Sequence, residues 1–151
     1  MTNPDQAIES AIVAAGANVA PRITPADIEA SIDSEVYFTA QHGIEGAMAG
    51  LELHARHLVS GHHVGNLRFL TFCVLILRNG FTVTGESACA SPENFNAEIG
   101  RRIARENAVQ KIWLLMGYGL RSKLAANTAE PDFLAGSKAC DVTDGTCEAC
   151  Q

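Results

Sequence analysis

The run Phe69-Leu70-Thr71-Phe72-Cys73-Val74-Leu75-Ile76-Leu77 meets Asn79-Gly80 and returns through Phe81-Thr82-Val83-Thr84. The first segment is rich in β-branched and aromatic residues, and Asn-Gly is a strong hairpin signal because both residues tolerate positive φ. A two-residue loop pairs Arg78 with Phe81, Ile76 with Val83 and Val74 with Gly85. The first strand is then apolar on both faces, and a two-stranded ribbon cannot bury both by itself. It needs a helix on one side, and more strands or a second subunit on the other.

Around this hairpin the sequence places helices. Residues 5–15 read as a weak helix stopped by Gly16. Thr24 has the signature of an N-cap, with Pro25 at the first helical position and Asp27 closing a capping box. Ile23 and Ile28 stand at staple positions, and Ile28, Ile32 and Val36 repeat at helical spacing, which predicts a helix to about Thr39. Met48 to Leu58 is a candidate for a further helix, and 61–65 for a loop. Ser91-Pro92 repeats the Thr24-Pro25 logic and opens a long last helix. The expected fold is α+β: N-terminal helices and a central antiparallel β-hairpin (about 68–87) packed on a C-terminal helix. That helix spans about 92–116, or reaches 124 if Gly117 and Gly119 do not break it. Residues 1–20 are an N-terminal extension, 21–125 a single domain and 126–151 an acidic, cysteine-containing tail expected to be flexible.

No stretch approaches the ~18–20 apolar residues of a membrane span, and no basic-then-apolar leader opens the chain, so a soluble, cytosolic protein is expected. The net charge of −6 disfavours general nucleic-acid binding. The charge is uneven, however. Residues 1–60 hold eight acids and two bases, whereas 92–124 hold six bases and three acids. An anion site belongs in that later segment.

On the last helix, Gly100, Ala104 and Ala108 are four apart and form a smooth stripe that admits another backbone. Arg102 has Glu98 and Glu106 a turn away on either side. Arg101 and Arg105, also four apart, repel mildly; Arg101 can still reach Glu98, whereas Arg105 has Arg101 and Arg102 behind it and only weak relief from local acids. Two stacked guanidinium groups suit a phosphate-bearing ligand; the alternative is that both reach acids on another element, such as the 24–39 segment. Phe81 and Phe95 are candidates to stack a base, against ordinary core packing. Ser87, Ser91 and Asn94 sit at the strand-to-helix corner, where free N–H groups favour anions, although capping alone also explains Ser91. The histidines His54, His57, His62 and His63 lack a recognised metal spacing. Cys140, Cys147 and Cys150 are three thiols where a structural zinc site usually needs four ligands. No metal or other cofactor is expected. Cys73 and Cys89 read as packing residues. There is no nucleophile-and-base spacing, phosphate loop or pair of catalytic carboxylates, so an enzyme is not expected.

Three segments resemble one small family. They are Arg22-Ile23-Thr24-Pro25-Ala26-Asp27-Ile28-Glu29-Ala30 with Tyr37-Phe38-Thr39-Ala40; the run Leu70 to Cys89; and Ser91-Pro92-Glu93-Asn94-Phe95 through Ile99-Gly100-Arg101 to Ala104-Arg105-Glu106-Asn107-Ala108. The chain resembles the Gp49-like phage and prophage proteins, named after gene product 49 of an N4-like phage and gene 66 of a Shigella phage, over roughly residues 20–125. A β-hairpin followed by arginine-bearing helices is also similar in layout to phage anti-defence sponges. Those bind cyclic-nucleotide or cyclic ADP-ribose immune signals of CBASS or Thoeris type in oligomers, without cleaving them. The resemblance implies a homo-oligomeric sponge in the host bacterial cytoplasm. Arg101 and Arg105 hold phosphates in it, Phe81 or Phe95 stacks a base, and Asn94, Ser87 and Ser91 lie nearby. The alternative is a protein–protein interaction module docking through the small-residue stripe or the acidic 24–39 helix.

Overall fold

The computed structural model describes residues 4–50 and 65–128. The helix expected over 48–58 lies almost wholly outside those residues. So do the 61–64 loop, four of the histidines and the cysteine tail beyond residue 128. The element order is α1 (Pro4–Ala14), α2 (Pro25–Ser31), β1 (Ile32–Thr39), α3 (Ala40–Ala49), β2 (Leu70–Leu77), β3 (Thr82–Ala88) and α4 (Ala97–Thr128). Short 3₁₀ turns at Gly65–Phe69 and Pro92–Asn94 precede β2 and α4. The sheet is antiparallel in the order β1-β2-β3, and α4 crosses one face of it. The expected α+β architecture is present, with a hairpin packed on a long C-terminal helix.

The start of α2 follows its local signals. The Thr24 hydroxyl accepts from the Asp27 N–H at 3.2 Å, and the Thr24 N–H donates to Asp27 Oδ2 at 2.8 Å. These bonds hold the Asp27 carboxyl below its ordinary range. Ile28, the staple position, is 1% exposed. The expected helix to Thr39 does not form. It stops at Ser31, and residues 32–39 are a third strand paired with β2 from Ile32↔Leu77 to Thr39↔Thr71. A spacing of four, as in Ile32 and Val36, fits one face of a strand as well as one face of a helix, and Val36-Tyr37-Phe38-Thr39 are all strand formers. What ends α2 comes from far away in sequence. The Arg78 backbone N–H and Nε, in the hairpin loop, donate to the carbonyls of Ser31 (2.9 Å) and Ala30 (2.6 Å), which the helix leaves open.

The hairpin is present, but its register is one residue from that expected. Leu75 pairs with Val83 and Cys73 with Gly85, because the loop has three residues, Arg78-Asn79-Gly80. Gly80 supplies the positive φ of 82°. A one-residue slip exchanges the faces of a strand. The observed register puts Val83 and Gly85 beside Leu75 and Cys73 under α4, and Val83 becomes core. β2 accordingly alternates between fully buried residues (Thr71, Cys73, Leu75, Leu77) and half-buried ones (Leu70, Phe72, Val74, Ile76). On the half-buried face Phe38 stacks on Phe72 with ring centroids 5.4 Å apart. The additional strand widens the sheet at its edge rather than covering that face, where Val36 stays 49% exposed.

α4 begins at Ala97 rather than at Pro92. Ser91 makes no capping bond, and Phe95 is extended and packs edge-on against Phe69 at 5.2 Å. Asn96 takes over as cap, its Oδ1 accepting from the N–H groups of Glu98 and Ile99, both at 3.0 Å. Gly117 and Gly119 do not interrupt the helix, which runs to Thr128 and so takes in the start of the expected tail. The Gly100-Ala104-Ala108 stripe does admit another backbone, and that backbone is this chain's own β3. A Cβ on Gly85 would lie 2.1 Å from the Ala104 carbonyl oxygen and 2.4 Å from the Ala108 nitrogen. Further along, Asn107 Nδ2 donates to the Glu86 carbonyl at 2.8 Å and Lys111 Nζ to that of Thr84 at 2.7 Å. The helix thereby closes the outer edge of β3, which would otherwise offer free carbonyls to another chain.

Gly85→Ala is expected to cost about 3 kcal/mol or more in urea unfolding, since both opposing atoms are backbone and neither can move aside alone. Gly117→Ala, where a Cβ meets nothing within 4 Å, is expected to gain up to about 1 kcal/mol. Tyr37, cross-strand from Cys73, has its phenol pushed from 10.0 up to about 12, first by burial and then by the neighbouring thiol and Glu35. A raised acid pKa favours the neutral form in the folded state. Its contribution to stability is therefore complete below pH ~10 and lost as the pH rises toward ~12. Absorbance titration should show a late tyrosine step that vanishes in Tyr37→Phe.

Candidate ligand site

The end of β1, the start of α3, the turn before β2 and the first turns of α4 meet around a cavity of about 490 Å³. Its walls include Arg68, Arg101, Thr71, His42, Tyr37 and Phe95. Local signals place each of these. Arg68 is the penultimate residue of the 3₁₀ turn that delivers the chain into β2, and its guanidinium lies 4.6 Å from the centre of the Phe69 ring. His42 closes a capping box with Thr39: its N–H donates to the Thr39 hydroxyl and its Nδ1 accepts from the Thr39 N–H, both at 3.3 Å. Arg101 stands on the first turns of α4 because Asn96, not Ser91, caps that helix.

The electrostatics of the cavity are one-sided. No carboxylate is among its described walls, and neither Arg68 nor Arg101 makes an ion pair among the described residues. Thr71 is 4% exposed, and its hydroxyl makes no hydrogen bond among the described residues. Two uncompensated guanidinium groups, a free hydroxyl and aromatic walls can receive a phosphate or carboxylate attached to a flat ring. The volume falls within the usual range of small-molecule sites, ~300–1,000 Å³. No group of three or more His, Cys, Asp or Glu among the described residues has metal-site geometry.

The arginine pair read from the helix divides. Arg105 Nε donates to Glu35 Oε2 at 2.8 Å, and its two terminal nitrogens donate to both oxygens of Glu29 at 3.2 and 2.8 Å. These partners raise its already high pKa, so it stays charged, and offset that charge locally. For Arg105 the alternative of acids on the 24–39 segment is what the geometry has, although those acids stand on α2 and β1 rather than on one helix. Arg102 is exposed and makes no ion pair with Glu98 or Glu106 among the described residues. Phe81 is half-exposed beside the hairpin loop, at the end of β2 opposite Thr71, so within one copy it does not meet Arg101. Six residues of strand separate Thr71 from Leu77, roughly 20 Å. Ser87, Asn94 and Phe95 do come together, around a smaller cavity of about 110 Å³ on the other side of Phe95. Ser91 is not among the walls of that cavity; its carbonyl accepts from the Cys89 thiol at 3.1 Å. Arg68, Thr71, His42 and Tyr37 were not singled out by the sequence. The only local hint was Arg68, a lone cation directly before the apolar run.

Arg105→Ala is expected to lower stability by about 1 kcal/mol, because Glu29 and Glu35 lose their shared partner, and to leave the 490 Å³ cavity intact. Arg101→Ala should change stability by no more than about 0.5 kcal/mol, as measured by urea unfolding.

One family matches the chain, over residues 23–124: the Phage protein (N4 Gp49/phage Sf6 gene 66) family. Neither a curated protein nor a solved structure matches.

Proposed function

The chain belongs to the family of phage proteins typified by N4 Gp49 and Sf6 gene 66, and on that footing we propose that it binds and sequesters a small nucleotide signal of host immunity without cleaving it. The observation that carries this reading is the cavity in which Arg68 and Arg101 face no carboxylate among the described walls. In the proposed complex these two guanidinium groups hold phosphate oxygens, the Thr71 hydroxyl adds a hydrogen bond, and Phe95 or Tyr37 flanks the base. Cyclic di- and trinucleotides and cyclic ADP-ribose all offer phosphates next to a flat ring. Arg105 has no part in it, being held by Glu29 and Glu35.

The reading includes a homo-oligomer. The half-buried sheet face with Val36, Phe38, Phe72, Val74 and Ile76 is apolar surface that the described residues cover only in part. Phe81 can reach a ligand only from a second copy. The two surfaces named for a docking module have other uses: the small-residue stripe is buried under β3, and the 24–39 segment is a short helix and an edge strand. Among the described residues no helix is long and apolar enough to cross a membrane.

Calorimetric titration of the purified protein with cyclic di- and trinucleotides and cyclic ADP-ribose isomers is the direct test. One class is expected to bind and to be recovered intact after heat denaturation. Arg101→Ala and Arg68→Ala should each weaken that binding at least about tenfold, the loss of one charge-assisted hydrogen bond, while Arg105→Ala changes it little. Failure of every ligand at tens of micromolar protein would sink the sequestration reading, and recovery of cleaved ligand would replace it with an enzyme.

A further inference from the structure

α1 lies outside the family match, which begins at Ile23. It is an 11-residue helix with no buried residue, and Ile8 remains 60% exposed. A helix this short is marginal on its own. Two polar clasps hold it against the domain. Arg22 donates from both terminal nitrogens to the Glu9 carboxylate, one at 2.6 Å, and the Trp113 indole N–H donates to Asp5 at 3.2 Å. The clasp with Arg22 keeps the Glu9 carboxyl below its ordinary range. Between the clasps the packing is incomplete: about 240 Å³ stays open between Ile8 and Ile12 of α1 and Ile23, Pro25 and Trp113 of the domain. Beyond α1 the chain turns at Gly16, with φ 67°, into an exposed stretch that returns to Arg22.

We infer that the face formed by Arg22, Ile23, Pro25 and Trp113 is a docking site for an acidic amphipathic helix of a partner protein, and that α1 occupies it in cis as a replaceable occupant. The seated helix shows what the face selects. One carboxylate meets the Arg22 fork, a second meets the indole N–H, and two aliphatic side chains four apart enter the apolar gap. That pattern, Asp-x-x-Ile-Glu-x-x-Ile, describes the partner segment. Such a helix with a larger apolar residue at either Ile position fills space that α1 leaves empty, and so displaces it. Three of the four face residues, Ile23, Pro25 and Trp113, lie within the family match and Arg22 directly precedes it, and the appended helix sets the threshold a partner must exceed.

The test uses the full chain and its single tryptophan, Trp113, as reporter. Glu9→Lys sets two cations against each other at Arg22 and should release α1, moving Trp113 emission to the red. A fluorescein-labelled peptide of residues 4–15 should then bind the Glu9→Lys protein about tenfold more tightly than it binds the wild type, read by anisotropy, because the cis competitor is gone. Adding Arg22→Glu reverses the clasp, so emission should return to the wild-type position and peptide binding should fall again. Unchanged emission in Glu9→Lys, or equal peptide affinity in the wild type and Glu9→Lys, overturns the inference. None of these readings involves the nucleotide cavity.

Discussion

The backbone contact between β3 and α4 at Gly85 sets the distance between the two layers. With hydrogen as its side chain, Gly85 brings the strand against the Ala104 carbonyl and the Ala108 N–H. The fit needs small residues on both sides, and the helix supplies Gly100, Ala104 and Ala108 in line, all of them buried. At that separation Asn107 and Lys111 reach the outer carbonyls of β3, and Ile112 fills the space over Leu75 and Val83 in the core. A wider gap would leave voids that Cys73 and the alanines are too small to fill, at ~24 cal/mol per Å³ of cavity.

The same contact decides where the charged residues of α4 stand. With the alanine stripe pinned to Gly85, Arg105 comes to the acids of α2 and β1, and Arg101, one turn earlier, comes to the end of β1, where no carboxylate stands among the described residues of the cavity wall. The arginine with the weaker relief along the helix, Arg105, is therefore the one that the fold pairs with acids. Its charge is offset by two carboxylates, whereas Arg101 has no ion-pair partner among the described residues. Burial acts in the opposite direction on the weak acids beneath them. The Cys73 thiol is pushed up and its neighbour Tyr37 reaches about 12, so neither contributes an anion near the cavity at neutral pH.

Much of the candidate site was illegible in the sequence because its walls come from four separate elements. Arg68 and Arg101 are 33 positions apart, and His42 and Thr71 have no periodic signal linking them to either. Arg101 was legible as one of two arginines four apart in a locally basic segment. Phe95, Asn94 and Ser87 were legible as a corner, since consecutive elements stay adjacent. Phe81 was not separable from them by sequence, because distance along a strand is invisible until the register and the length of β2 are known.

Local chemistry alone determined the caps and turns: Thr24 with Asp27, the left-handed Gly16 and Gly80, and the smooth stripe of α4. These depend on residues within four positions of one another. The tertiary structure decided the rest. It ended α2 at Ser31, because Arg78 of the hairpin satisfies that helix's last carbonyls and frees residues 32–39 to pair with β2. It moved the hairpin register by one, because only that register turns Gly85 toward Ala104. In both places the local preferences were nearly balanced, and a contact from a distant segment supplied the difference.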